Sequence, residues 1–171
     1  PHAGLLPPRL LFRPFFLRGM AHLQCNDPIA AMPELEKALR ATGEDELAQT
    51  VVRNLLGVTY YLLTCPTEAL RQHLYCFEAI KSGIAKDLNL RQSILRNLAN
   101  DYWAVNDVTQ AIATYKKALL IVEDLDGAGK QAYLFWALAM AYRAANDRAL
   151  AKLYARRAVQ MYEELRQSLN L

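Results

Sequence analysis

Few residues in this chain are typed and spaced for chemistry. His73 and Cys76 lie three apart, so a helix would place both on one side, within reach of a single metal ion. Two further ligands are not in view, and the spacing favours a packing role. Gly129-Lys130 has the form of the end of a phosphate loop. However, Gln131 stands where Ser or Thr is needed and Asp124 where the leading Gly belongs, so the backbone cradle is missing. Neither a zinc-protease motif nor a nucleophile elbow occurs. Arg148, Lys152 and Arg156 recur at four-residue spacing and form a basic stripe. It reads as a solvated face, helped by cations suiting the later turns of a helix, and not as a DNA contact. These residues give no catalytic centre, no metal site and no cofactor, and the expectation is a non-enzymatic chain.

The elements that would carry these residues are helices. The 171 residues are 53% hydrophobic and 22% charged, with a net charge of +3. That composition excludes a disordered chain. No run approaches the ~18 apolar residues of a membrane span, so no membrane role is expected. The charge is too small to argue for nucleic acid. Cysteines at 25, 65 and 76 are odd in number and irregular in spacing, which is no disulfide framework. Without a basic region ahead of the first apolar residues there is no signal peptide, and a reduced, cytoplasmic protein is expected. The start at Pro1 suggests a piece of a longer chain. Pro is absent after Pro66, so the last hundred residues read as helical.

An internal repeat organises these helices. Asn-Asp occurs at Asn26-Asp27, Asn106-Asp107 and Asn146-Asp147. Upstream lies a small residue with a bulky one three later: Gly19 and His22, Ala99 and Tyr102, Ala139 and Tyr142. Downstream lie two small residues seven apart: Ala31 and Ala38, Ala111 and Ala118, Ala151 and Ala158. A further copy lacks Asn-Asp but keeps Gly57, Tyr60, Ala69 and Cys76. The step from first small residue to second is always 12, whereas successive copies are 38, 42 and 40 apart. A unit rigid inside and variable in its connections is a stacked helical hairpin. The small residues would let two antiparallel helices approach. Asn would take the left-handed corner, and Asp would cap the helix that follows. In the second copy Pro66 and Thr67 are expected to supply turn and cap.

The fourfold pattern resembles the tetratricopeptide repeat family. The third copy matches with Leu95, Leu98-Ala99, Tyr102, Ala111, Tyr115 and Ala118. The fourth gives Phe135, Leu138-Ala139, Tyr142, Ala151 and Ala158, and the second Leu56-Gly57, Tyr60 and Ala69. The first has Phe15, Gly19, Ala31, Leu35 and Ala38, with Arg18 where Leu is usual. The resemblance implies an all-α, right-handed superhelical stack of four hairpins. Its repeats would cover about 13–43, 46–87, 90–126 and 130–168, within a domain at 13–171 after a lead-in at 1–12. The long units resemble the sensor regions of large bacterial transcription regulators. Helices are expected at about 46–63, 67–86, 90–105, 108–125, 130–145 and 148–168, with a first helix ending near Gln24 and a second opening at Pro28. Pro33 should kink or delay that second helix. Asn89 with Gln92 reads as a capping box, and 126–129 as a loop.

In this family the first helix of each hairpin lines a concave surface that binds peptides. Residues six, three and two before the small residue, and one and four after it, would face that groove. The resemblance thus points to Asn54 and Tyr61 (with Val58), to Arg96, Asn97, Asn100 and Trp103 (with Ser93), and to Tyr133, Trp136 and Arg143 (with Met140). Arg13, Phe16 and Met20 hold these places in the first copy. Asn can donate to and accept from a peptide backbone, Arg can pair with a carboxylate, and the aromatics supply walls. The alternative is that the same residues serve packing between repeats. Arg96 with Asn100 resembles part of a chaperone carboxylate clamp. Tyr133 and Ala137 stand where its other basic residues belong, so a true clamp is not expected. On the last helix, Ala151, Ala155, Ala158, Tyr162 and Leu165 read as the stripe toward its own hairpin, and Leu150, Leu153 and Met161 as a second stripe. An apolar outer face there predicts a homodimer contact or a further repeat. The function read from these features is a scaffold for a protein segment or peptide, the sensor or assembly region of a larger bacterial regulator. The rival is a general assembly scaffold without signal input.

Overall fold

The computed structural model of the protein describes residues 10–123 and 127–168. Its helices are α1 (Arg13–Gln24), α2 (Pro28–Ala41), α3 (Glu46–Leu62), α4 (Pro66–Lys81), α5 (Leu88–Ala104), α6 (Val108–Glu123), α7 (Ala128–Ala144) and α8 (Arg148–Ser168). They pair in order, α1 with α2, α3 with α4, α5 with α6 and α7 with α8. The chain forms two compact units, one ending at Lys86 and one starting at Asp87. In the first unit α2 also packs on α3, and in the second α6 packs on α7. Each unit is therefore a stack of two hairpins, and the all-α hairpin architecture is the one its repeat predicts. Residues 1–9 of the lead-in and Asp126 of the predicted loop lie outside the described residues.

The corners follow from their residues. Asn26, Asn106 and Asn146 take φ of 57°, 64° and 61°. The next residue caps the following helix: Asp27, Asp107 and Asp147 each accept from a backbone N–H three positions on, at 3.0 Å. The second corner differs from the expectation. Thr64 takes the left-handed place at φ 59°, and Cys65 sits at the cap without a side-chain bond, so Thr67 is already inside α4. Thr64-Cys65 thus stand where the other corners have Asn-Asp.

The close approach sits one helical turn beyond the predicted pair. A Cβ on Gly19 would come within 2.6 Å of Leu35, and one on Gly57 would run into the His73 ring. The glycine makes room for the residue four after Ala31 or Ala69, not for the alanine itself. His73 is buried and donates through Nε2 to the Asn54 carbonyl at 3.1 Å. Cys76 is buried too, and its thiol donates to the Thr50 carbonyl at 3.3 Å. The pair packs α4 against α3. Arg18, which replaces the usual Leu, forms an ion pair with Glu34 at 2.7 Å and ties α1 to α2. A hydrogen bond from Lys37, helped by the Arg18 charge, holds the Glu34 carboxyl below the usual carboxylate range.

Other boundaries move for local reasons. α4 stops at Lys81 and not near 86, because Gly83 turns left-handed at φ 78° and the Ile84 N–H folds back to the Ala79 carbonyl. α5 starts at Leu88 and is capped by Asp87, which accepts from Leu90 N at 2.7 Å, so Asn89 and Gln92 are not its capping box. α7 begins at Ala128, two residues early, with Gly127 as an uncapped start. α2 opens at Pro28 without delay and carries Pro33 in its interior.

Candidate functional site

Sequence offsets from each small residue define which first-helix positions face away from the partner helix. In the first unit four of those positions, Arg13, Phe16, Leu17 and Val51, line a cleft of about 770 Å³ between α1 and α3, whereas Met20, Asn54, Val58 and Tyr61 lie outside its lining. Phe12, Phe16, Leu17, Leu47 and Val51 give it apolar walls, and Arg13 and Asp45 mark its polar edge. Arg13 and Phe16 sit six and three before Gly19. The same offsets reach Leu17, two before Gly19, and Val51, six before Gly57, which the sequence reading did not single out. Leu47 was missed because it lies more than two turns before Gly57, beyond those offsets. Its signal was a large apolar residue placed off the hairpin stripe. Leu17 and Leu47 are both solvent-exposed, while Phe12 and Phe16 lean on the core beneath. Asp45 caps α3 by accepting from Ala48 N at 2.9 Å, so its carboxylate is fixed.

In the second unit the candidate residues lie on α5 and α7. The Asn100 side-chain oxygen accepts from the Tyr115 hydroxyl at 2.6 Å and the Tyr133 hydroxyl at 3.0 Å. One carboxamide thereby joins α5, α6 and α7, which explains a poor helix former in mid-helix. Tyr133 packs its ring against Trp136 with centroids 5.8 Å apart. Trp136 is 49% exposed, an apolar surface with its edge in water. Arg96 donates to the side-chain oxygen of Asn97 at 3.3 Å, and Asn97 itself is buried. Arg143 is exposed and Trp103 half-buried.

The nine predicted site residues therefore divide. Asn54 and Asn97 are buried, and Asn100 spends its acceptor within the fold. Tyr61, Trp136 and Arg143 are exposed, and Arg96, Trp103 and Tyr133 are half-buried. The structure brings Asn100, Tyr133 and Trp136 together, and Arg96 beside Asn97. Tyr61 and Asn54 belong to the first unit with the cleft. Among the described residues no group of three or more His, Cys, Asp or Glu could hold a metal, and no helix is long and apolar enough to cross a membrane.

Capped hairpins with a fixed small-residue register and paired stacking define a helical repeat protein. Residues 90–164, which run through both hairpins of the second unit, match the family model described as Tetratricopeptide repeat. Comparison with curated protein sequences gives no match. Among solved structures the chain is similar to BtubC (BKLC) from P. vanneervenii, at 21% identity and a TM-score of 0.84, covering 96% of this chain and 68% of that one. It is also similar to aspartyl phosphate phosphatase F from Bacillus subtilis, at 12% identity and a TM-score of 0.79. That match covers 94% of this chain and 42% of the phosphatase, so the chain spans less than half of it. Both likenesses show the fold.

Proposed function

We propose that this chain is a non-enzymatic scaffold that binds a protein segment on the first-helix faces of its hairpins. Repeats of the tetratricopeptide type are protein-interaction units. The observation that carries the reading is the open apolar cleft between α1 and α3, two first helices, with Arg13 at its edge. Leu17 and Leu47 leave apolar surface in water there, which an apolar side chain of a partner would cover at roughly 25 cal/mol per Å². In the second unit, Trp136 backed by Tyr133 has the character of an interface anchor. Arg13 and Arg143 suit a segment that carries carboxylates beside its apolar residues. The sensor or assembly role in a larger bacterial regulator is supported by the long units, spaced 38, 42 and 40 residues. The outer side of α8 offers a second surface, toward a further hairpin or a second copy.

The test is selection of binding segments from a displayed peptide library, followed by titration against the chain. Recovered sequences should share apolar anchors flanked by Asp or Glu, and Leu17→Asp should weaken them. A library that yields no saturable binder, or binders indifferent to Leu17 and Trp136 alike, overturns the reading.

A further inference from the structure

The last helix is a second copy of α6 in register. Forty residues separate Ala111 from Ala151 and Ala118 from Ala158, and both members of the second pair are buried. The same offset carries Tyr115 to Ala155, Leu119 to Val159 and Val122 to Tyr162. In α6 these three positions are covered, because α5 lies on one side and α7 on the other. Among the described residues α8 packs on α7. Leu119 is 8% exposed and Val159 57%; Val122 is 2% exposed and Tyr162 47%. The middle position stays apolar throughout the repeat, as Leu39 in α2 and Phe77 in α4, so α8 keeps there the stripe of a helix that has a neighbour.

The stripes on α8 are rotated by one position from the sequence expectation. Its own hairpin takes Tyr154, whose ring stacks on Tyr142 at 5.5 Å, together with Ala158. Ala155 and Tyr162 turn outward instead. The outer side holds a shallow groove lined by Lys152, Ala155, Arg156, Val159, Gln160 and Glu163.

We infer that this face is where a second copy of the chain docks, with the two α8 helices antiparallel. Charge and symmetry favour that partner. Lys152 and Glu163 are eleven residues apart, about three turns, and so lie on one stripe. A two-fold axis between Arg156 and Val159 places each Lys152 opposite the other copy's Glu163, at both ends of the seam. Val159 then lies against the aliphatic stem of the other copy's Arg156 at its centre, and the small Ala155 side chain beside it allows close approach. Such two-fold matching of a surface with itself is what an isologous contact requires. Arg148, Lys152 and Arg156 occupy the first half of α8, not its later turns, and of the three Lys152 is the one set against a carboxylate of the other copy. The seam is about 17 Å long at ~1.5 Å per residue, so the association is weak and reversible.

The inference goes beyond the peptide-binding reading and stands or falls apart from it. Sedimentation equilibrium of the 171-residue chain should show monomer and dimer exchanging, with dimer growing in the high-micromolar range. Lys152→Glu should weaken dimerisation roughly tenfold, since it sets two like-charge pairs across the seam. Adding Glu163→Lys to it should restore the wild-type constant, and Val159→Lys, which sets a second cation beside the other copy's Arg156, should abolish the dimer, all with unchanged circular dichroism. A monomeric mass at every concentration up to millimolar overturns the inference. So does a dimer that is insensitive to Lys152→Glu, or one that the double exchange fails to restore.

Discussion

The corner residues show how a single side chain sets local stability. Asn tolerates the left-handed conformation at three corners, whereas Thr64 holds φ 59° with a branched Cβ, at roughly 1–2 kcal/mol. Cys65 adds no cap where Asp does elsewhere. Replacing Thr64 by Asn and Cys65 by Asp should raise stability by about 1–2 kcal/mol, read as a higher urea midpoint. The Asp27-Pro28 junction already accommodates Asp before Pro, so Pro66 is no obstacle. The cysteines make a second prediction. Burial pushes the Cys76 thiol up to about 12, against the opposing charge of Arg53. The folded chain keeps that proton longer than the unfolded chain, whose thiol ionises near ~8.5. Its share of stability is therefore full below about pH 8.5 and is lost as pH rises toward 12. Urea midpoints should fall between pH 8.5 and 9.5 more steeply in the wild type than in Cys76→Ala. Thiol reagents should find Cys25 at once and Cys76 only on unfolding.

At the level of the helix, the small residues could be read in the sequence, but their partners could not. The 12-residue step located both helices of every hairpin, since each must present a small residue where backbones approach. What fills the space is set by side-chain direction: in a helix each side chain leans toward the N-terminus, so Gly19 meets Leu35 and Gly57 meets His73. Gly57→Ala should cost about 1–3 kcal/mol despite alanine's better helix propensity, because the ring of His73 has nowhere to go. Gly129→Ala, where a Cβ meets open space inside α7, should leave stability unchanged or raise it by up to about 1 kcal/mol. Ala111→Leu, at a fully buried crossing position, should cost about 1–3 kcal/mol. Thermal melts of the three variants check the register, and an unchanged Ala111→Leu would contradict it. Ends were less legible than faces. Asp87 and Gly83 decide where α5 begins and α4 stops, and each competes with equally plausible neighbours in sequence.

For the molecule as a whole, the repeat explains where much of the hydrophobic 53% goes: to interfaces between successive helices within each unit. The first-helix surface was partly legible. Offsets carried over from the family resemblance placed Arg13, Trp136 and Arg143 at positions that are exposed. They could not foresee that Asn100 would turn its oxygen to Tyr115 and Tyr133, since that depends on three helices meeting. Nor could they show the α1–α3 cleft, which is the space left by packing. The central claim is that partners bind on first-helix faces, and calorimetric titration of a selected peptide against three surface variants tests it most directly. Leu17→Asp or Trp136→Ala, according to the unit engaged, should weaken binding by more than roughly tenfold, as loss of an interface anchor does. Leu120→Asp, on the exposed side of the second helix α6, should leave affinity unchanged. Loss of binding in Leu120→Asp with full affinity in both first-helix variants would contradict the account.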